Sequence, residues 1–317
     1  MAGEHSAILS GRVPHRVRIG SESQRLPRRM IDPCASLKFA ILGDGRAAVD
    51  GVGPSAYWTA FNQEVQRHQP KFILNTGDLV KNGLNEREWH HFIHQTQAWP
   101  PMVMVRGNHD RGGIFERLKM NPGRVFWFTS GVMGVVGFDT EVGLGGELLL
   151  GARLEMALQR LDTPWKIVFL HRPIYSRSRH GSDERGWNQW LIPIFDRHDV
   201  TLVVSGHDHN YERFCRQRGR GVERRCSPHR GTVYLVSGGA ATFTAPFPGL
   251  APNRSPLESD MDKATSRVFS NAHHFVTVDA SPNTLTLTAI RTRVGNVRPA
   301  GQFDTLTLTR TSKRCPP

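Results

Sequence analysis

Five times along this chain a short apolar run is followed at once, in four cases after a glycine, by a side chain able to hold a metal ion. LKFAILG leads to Asp44, KFILNTG to Asp78, PMVMVRG to Asn108, His109 and Asp110, KIVFL to His171, and TLVVSG to His207 and His209. Short apolar runs without polar alternation are strands buried on both faces, as in parallel sheets covered by helices. Alone, each Gly-Asp reads as a turn or helix cap and each histidine as a hydrogen-bonded structural residue. Together, at the ends of successive strands, they occupy the positions where α/β proteins place ligand sites.

Between the strands lie amphipathic stretches, YWTAFNQEVQRH, EREWHHFIHQTQ, a segment with Leu150, Leu154, Leu158 and Leu161 at helical spacing, and a helix-like segment over residues 187–198. VFWF, VMGVVGFD and TVYLVSGG read as further strands, and a Gly- and Arg-rich excursion precedes the last of these. HHFVTVDA, LTLTAI and FDTLTLT alternate with the two-residue period of half-buried antiparallel strands. The reading is an α/β protein with helices flanking a mixed β core in two sheets. Residues 1–36 have no hydrophobic period and read as a polar arm, either poorly ordered or draped over the domain, and residues 37–317 as one domain with a β-rich C-terminal part. Trp58, Trp89, Trp99 and Trp127 read as packing residues.

Of the 317 residues 38% are hydrophobic and 22% charged, with no apolar run long enough to cross a bilayer, so no membrane partner is expected. The formal charge of +13 attracts anions, among them phosphate esters and nucleic acids, and equally describes a basic solvated surface. Cys34 and Cys315 bracket the predicted strands while Cys215 and Cys226 flank the Gly- and Arg-rich stretch, which suits disulfides 34–315 and 215–226; the alternative is four free thiols in a cytosolic protein. The first 20 residues lack the apolar segment of a secretory signal, so the expectation is a cytoplasmic protein, or a secreted or periplasmic one whose signal has been trimmed.

Carboxylate and amide oxygens mixed with imidazoles suit Mn, Fe or Zn. A carboxylate bridging two such ions holds them roughly 3.5 to 4 Å apart, the separation that clamps an in-line phosphoryl displacement. The succession GD, GD, GNHD, H and GHDH over about residues 37–240 resembles the signature of the calcineurin-like metallophosphoesterases, and GHDHNYER looks most like their purple acid phosphatase branch. The resemblance implies a four-layer α/β/β/α sandwich with two mixed β-sheets and the active site at the carboxyl ends of the strands. It implies two divalent or trivalent ions (Fe, Mn or Zn), the first held by Asp44, Asp78 and His209, the second by Asn108, His171 and His207, with Asp78 bridging. His109 would stand beside the leaving group as electrostatic partner or general acid, oriented by Asp110, and a metal-bound hydroxide would be the nucleophile.

The chain departs from the pattern at one place. Most of the superfamily has a histidine two residues after the first aspartate, and purple acid phosphatases have a tyrosine three residues after the bridging one; Arg46 and Lys81 stand there. The first ion thus loses a protein ligand, and Arg46 is expected either against the substrate phosphate or in an ion pair with a surface carboxylate. His180, nine residues after His171, resembles the loop histidine that meets phosphate in purple acid phosphatases. Tyr211, Glu212 and Arg213 are expected to support the loop of His207 and His209. The resulting expectation is hydrolysis of a small phosphorylated substrate, monoesters ahead of diesters. A diesterase or nuclease on the same fold, with nucleic acid as the less favoured partner, and a degenerate non-catalytic binding module are the alternatives.

Overall fold

Phe39, Ala40, Ile41 and Leu42 are all buried, two on each face of a single strand, so that strand needs apolar neighbours above and below it. The computed structural model describes residues 18–20, 32–46, 56–142, 147–182, 186–220, 223–240, 262–292, 300–311 and 315. The chain runs through β1 (Arg18–Gly20), β2 (Leu37–Leu42), α1 (Ala56–Arg67), β3 (Ile73–Asn75), α2 (Glu86–Thr96), β4 (Met102–Met104), α3 (Ile114–Arg117), β5 (Val125–Ser130) and β6 (Met133–Phe138). It continues through α4 (Glu147–Gln159), β7 (Trp165–Leu170), α5 (Asn188–Arg197), β8 (Leu202–Ser205), β9 (Tyr211–Phe214), β10 (Gln217–Arg218), β11 (Arg225–Cys226) and β12 (Val233–Ser237). Four strands close it: β13 (Ser266–Ser270), β14 (His274–Ala280), β15 (Thr284–Arg291) and β16 (Gly301–Thr309).

Two mixed sheets result. One has eight strands in the order β1-β5-β6-β7-β8-β12-β9-β13, with β6, β7, β8 and β12 mutually parallel. The other has six, β16-β15-β14-β2-β3-β4, with β2, β3 and β4 parallel and the last three strands of the chain antiparallel. Phe39, Ile41, Ile167, Phe169, Leu202, Val204, Val233 and Leu235 fill the space between the sheets. Their immediate neighbours Val168, Leu170, Val203 and Tyr234 point the other way, onto Leu150, Leu154 and Leu158 of α4 and Leu191 and Phe195 of α5. Ala40 and Leu42 likewise face Phe61 and Val65 of α1. The period-two alternation of strands buried on both faces therefore divides the apolar residues among layers, helices outside and two sheets within. Trp89 and Trp99 are buried and Trp127 half-buried; the side chain of Trp58 lies outside the described residues.

Five strands were not legible in the sequence, among them the two-residue β10 and β11 of the Gly- and Arg-rich excursion. β1 falls within the polar arm and pairs antiparallel with β5, Arg18 opposite Thr129, while most of the arm lies outside the described residues. β9 and β13 carry Glu212, Arg213, Arg267 and two serines and so lack an apolar signature, yet β9 sits inside the eight-stranded sheet between β12 and β13. No helix among the described residues is long and apolar enough to cross a membrane.

Both disulfides are formed, Cys34–Cys315 with Cα atoms 5.5 Å apart and Cys215–Cys226 at 5.7 Å. The first joins positions 281 residues apart and the second positions 11 apart, so in the chain-entropy account the first restricts the unfolded chain far more. Replacing Cys34 and Cys315 with serine is expected to cost about 5 kcal/mol, and replacing Cys215 and Cys226 about 3 kcal/mol. Urea unfolding of the two double variants checks the order; equal losses would show that native-state contacts, not chain entropy, set the effect.

Candidate metal centre

The parallel strands deliver their polar side chains because each stops at a sharp turn. Asp44 (φ 59°), Arg46 (38°), Asp78 (53°) and His207 (69°) all adopt the left-handed backbone conformation that non-glycine residues avoid, a local strain of order 1 kcal/mol each that the surrounding packing must hold. Glycines let the turns come together. A Cβ on Gly107 would lie 2.2 Å from Asp78 Oδ1, and one on Gly206 would lie 2.3 Å from Asp44 Oδ2.

The structure brings Asp44, Asp78, Asn108, His171, His207 and His209 to one place, from the ends of β2, β3, β4, β7 and β8. His171 donates from Nδ1 to the carbonyl of Thr76 (2.9 Å), which leaves the lone pair on Nε2. That nitrogen faces Asn108 Oδ1 at 2.9 Å and Asp78 Oδ1 at 3.4 Å. His207 Nδ1 approaches the same Asn108 oxygen at 2.8 Å. A lone pair directed at a carboxylate oxygen and an amide oxygen is an arrangement of mutually repelling acceptors that a cation resolves, and the donor set fits a borderline transition metal. On the other side of Asp78, one donor atom each from Asp44, Asp78 and His209 lie within 4.8 Å of one another, with His209 Nε2 3.6 Å from Asp44 Oδ1. Here Arg46 intervenes: its Nη2 stands 2.9 Å from Asp78 Oδ2 and 3.2 Å from His209 Nε2. The expectation of a surface carboxylate for Arg46 gives way to the fully buried Asp78.

Burial pushes the Asp44 carboxyl well up, and the charge of Asp78 adds to the effect. Burial acts in the same sense on Asp78, but the charge of His171 in its protonated form, the guanidinium of Arg46 and the neighbouring His109 outweigh it and hold that carboxyl well below its usual range. Asp78 is thus the ionised anchor of the cluster.

His109 donates its backbone N–H to Asp78 Oδ1 (2.9 Å), and its ring Nδ1 meets the carbonyl of Lys81 at 2.7 Å. The loop of Lys81 is in turn held by Glu88, which accepts from the N–H groups of Lys81 and Asn82 at 2.9 Å each. Asp110 plays a different part from the one expected: its carboxylate accepts the backbone N–H groups of Leu79 (2.8 Å), Val80 (3.1 Å) and Gly107 (2.8 Å), stitching the loop after β3 to the loop after β4. The ring of His109 is oriented by the Lys81 carbonyl instead. His180 is exposed and lies over His207, ring centroids 4.0 Å apart, while its N–H donates to Asp208 Oδ1 at 3.1 Å.

Sequence reading missed Arg172 and Glu141. Arg172 Nη1 lies 3.1 Å from His207 Nε2, and its Nε donates to Glu141 Oε1 at 2.6 Å. Glu141 also accepts from Arg111, and it lies three residues past Phe138, the last residue of β6. The strand-end rule that found the other residues applies to it too.

Residues 37–211 match the family model for calcineurin-like phosphoesterases, and the chain belongs to that family. Its relatives include an uncharacterised protein of Mycobacterium tuberculosis, 28% identical over 63% of this chain and 47% of the relative. Among purple acid phosphatases of Arabidopsis thaliana, the Fe(3+)-Zn(2+) enzyme 12 is 23% identical over 57% of this chain and 44% of its own length, and the one named probable inactive purple acid phosphatase 1 is 25% identical over 69% and 43%. The purple acid phosphatase PPD1 of yellow lupin (Lupinus luteus) shares the fold, with TM-score 0.69, 21% identity and coverage of 87% of this chain and 54% of that one. The branch is the purple acid phosphatase-like one, and the chain spans less than half the length of these curated relatives.

Behind the His207–His209 loop, Tyr211 and Arg213 of β9 bind Asp304 of β16, at 2.5 Å through the phenol and 2.6 Å through Nε. Glu212 between them is buried and accepts from the Arg177 N–H and from Ser266 Oγ, both at 2.8 Å. Burial raises its carboxyl to about 7. The folded protein then holds a proton that the unfolded chain releases above about 4.3, so Glu212 subtracts stability as pH rises from about 4.3 to 7, by at most about 4 kcal/mol. Glu212→Gln is expected to flatten that part of the stability profile; urea midpoints of both proteins at pH 5 and pH 7.5 measure it, and parallel profiles would refute it.

Proposed function

We propose that this chain hydrolyses phosphate esters, monoesters ahead of diesters, at a metal centre built on Asp78, Asn108, His171 and His207. The observation that carries the reading is the His171 lone pair set against Asn108 Oδ1 and Asp78 Oδ1, a donor arrangement with a cation's place in it. Asp78, Asn108, His171 and His207 would hold such an ion, which would supply Lewis-acid polarisation of a phosphoryl oxygen and lower the pKa of water toward about 7.

The chain's own residues supply the rest. Asp78 holds a negative charge in a buried place, where it fixes a cation tightly. His109 is pinned twice, through its N–H by Asp78 and through Nδ1 by the Lys81 carbonyl, so that its imidazolium form would have Nε2–H left to pass a proton to the leaving oxygen. His180, exposed and with its ring tilted over that of His207, would donate to a phosphoryl oxygen. The surplus of 41 Lys and Arg over 28 Asp and Glu favours an anionic substrate. The family's use of metal ions and the Fe(3+)-Zn(2+) relative agree with this reading.

A second reading has one observation of its own, the guanidinium of Arg46 between Asp78 and His209: a non-catalytic phosphate-binding module. Hydrolysis of p-nitrophenyl phosphate and of its bis-ester by metal-free protein reloaded with Mn, Fe or Zn separates the two. The expected result is metal-dependent turnover of the monoester, faster than the diester, lost in Asp78→Asn and lowered about 10²- to 10⁴-fold in kcat by His109→Ala. Metal binding without turnover of either ester would favour the binding module.

A further inference from the structure

Two cation positions flank Asp78, and they are not equivalent. On the Asn108 side, acceptor atoms face one another across a gap: His171 Nε2, Asn108 Oδ1 and Asp78 Oδ1. On the Asp44 side, the same kind of cluster already encloses a positive charge. The Arg46 Nη2 lies 2.9 Å from Asp78 Oδ2 and 3.2 Å from His209 Nε2, its Nε lies 3.3 Å from the same carboxylate oxygen, and its backbone N–H donates to the Asp78 carbonyl at 2.9 Å. Asp78 and His209 are two of the three residues of the Asp44, Asp78, His209 group that could hold a metal ion. The side chain is 21% exposed, so the guanidinium is largely withdrawn from water, and Arg46 keeps a left-handed backbone (φ 38°) to deliver it there.

A guanidinium does not deprotonate in a protein, so it cannot step aside by losing its charge. An ion coordinated to both Asp78 Oδ2 and His209 Nε2 would stand against the Arg46 nitrogens that now hold these atoms. Such repulsion is strongest where solvent is scarce.

We infer that this centre holds one metal ion, on the Asn108 side, and that Arg46 is the resident cation in place of the second. The expectation of two ions gives way to one ion and one guanidinium. The inference rests on the metal-centre reading above and refines it: Arg46 neutralises one side of Asp78 and offers its remaining N–H groups to a phosphoryl oxygen, work that a second ion would otherwise do.

The test is metal stoichiometry. Metal-free wild type, Arg46→His, Arg46→Gln and His171→Ala are equilibrated with Mn(II), freed of excess ion and assayed for Mn per chain, with electron paramagnetic resonance spectra of the same samples. The expected result is one Mn per wild-type chain with the six-line spectrum of an isolated ion, loss of that Mn in His171→Ala, and two Mn per chain with a spin-coupled spectrum in Arg46→His. Arg46→Gln, which removes the charge without adding a ligand, is expected to take up the second ion at least tenfold more weakly than Arg46→His. Two ions in the wild type would overturn the inference and leave the phosphoesterase reading standing, as would a single ion that survives His171→Ala. One ion in both Arg46 variants, with their far-ultraviolet circular dichroism unchanged, would also overturn it. No bound metal in any of the proteins would sink both.

Discussion

The carboxylate of Asp78 is the point on which the centre depends. Its Oδ1 accepts the N–H of His109 and faces His171, and its Oδ2 takes the guanidinium of Arg46. Those partners come from the ends of β4, β7 and β2, three strands in two different sheets. Desolvation drives a buried carboxylate left without them toward its protonated form, and it is the largest cause of the raised pKa of neighbouring Asp44. Positive and polar neighbours keep it charged, and the charge in turn draws the strand ends together.

A second set of buried groups holds this arrangement without entering it. Asp110 gathers three backbone N–H groups from two loops, which makes the position of Asp78 and of Asn108 one geometric unit. Glu141 and Arg172 do the same for His207 from the far side. Asp304, on the outermost strand of the six-stranded sheet, binds Tyr211 and Arg213 of the eight-stranded one, so the two sheets are tied just behind the GHDH loop. Each of these groups is polar and buried and finds its partners in a different element, which is the arrangement that fixes ligand geometry before any ion arrives.

How much of this the sequence disclosed follows from what kind of signal each part leaves. β2, β7, β8 and β12 are buried on both faces and so announce themselves as uninterrupted apolar runs, and the residues just past them are then located by position alone. β9 is equally central, but its middle residues Glu212 and Arg213 are satisfied by Ser266, the Arg177 N–H and Asp304, partners 54, 35 and 91 residues away that no local pattern reveals. The same holds for Arg46. That it departs from the family pattern is visible in the sequence, whereas its placement on Asp78, 32 residues on, and on His209, 163 residues on, needed the fold. Asp110 was legible as part of the centre but not in its task, because a carboxylate that binds backbone and one that binds a ring look alike in a string of letters.

The central claim is that the acceptors meeting on the Asn108 side of Asp78 are a metal site. Crystals of the protein grown with Mn(II), with anomalous diffraction recorded on both sides of the manganese absorption edge, address it most directly. The account predicts an anomalous peak bounded by Asp78, Asn108, His171 and His207, present above the edge and lost below it. A map without that peak, in crystals whose other density is well defined, would contradict the account.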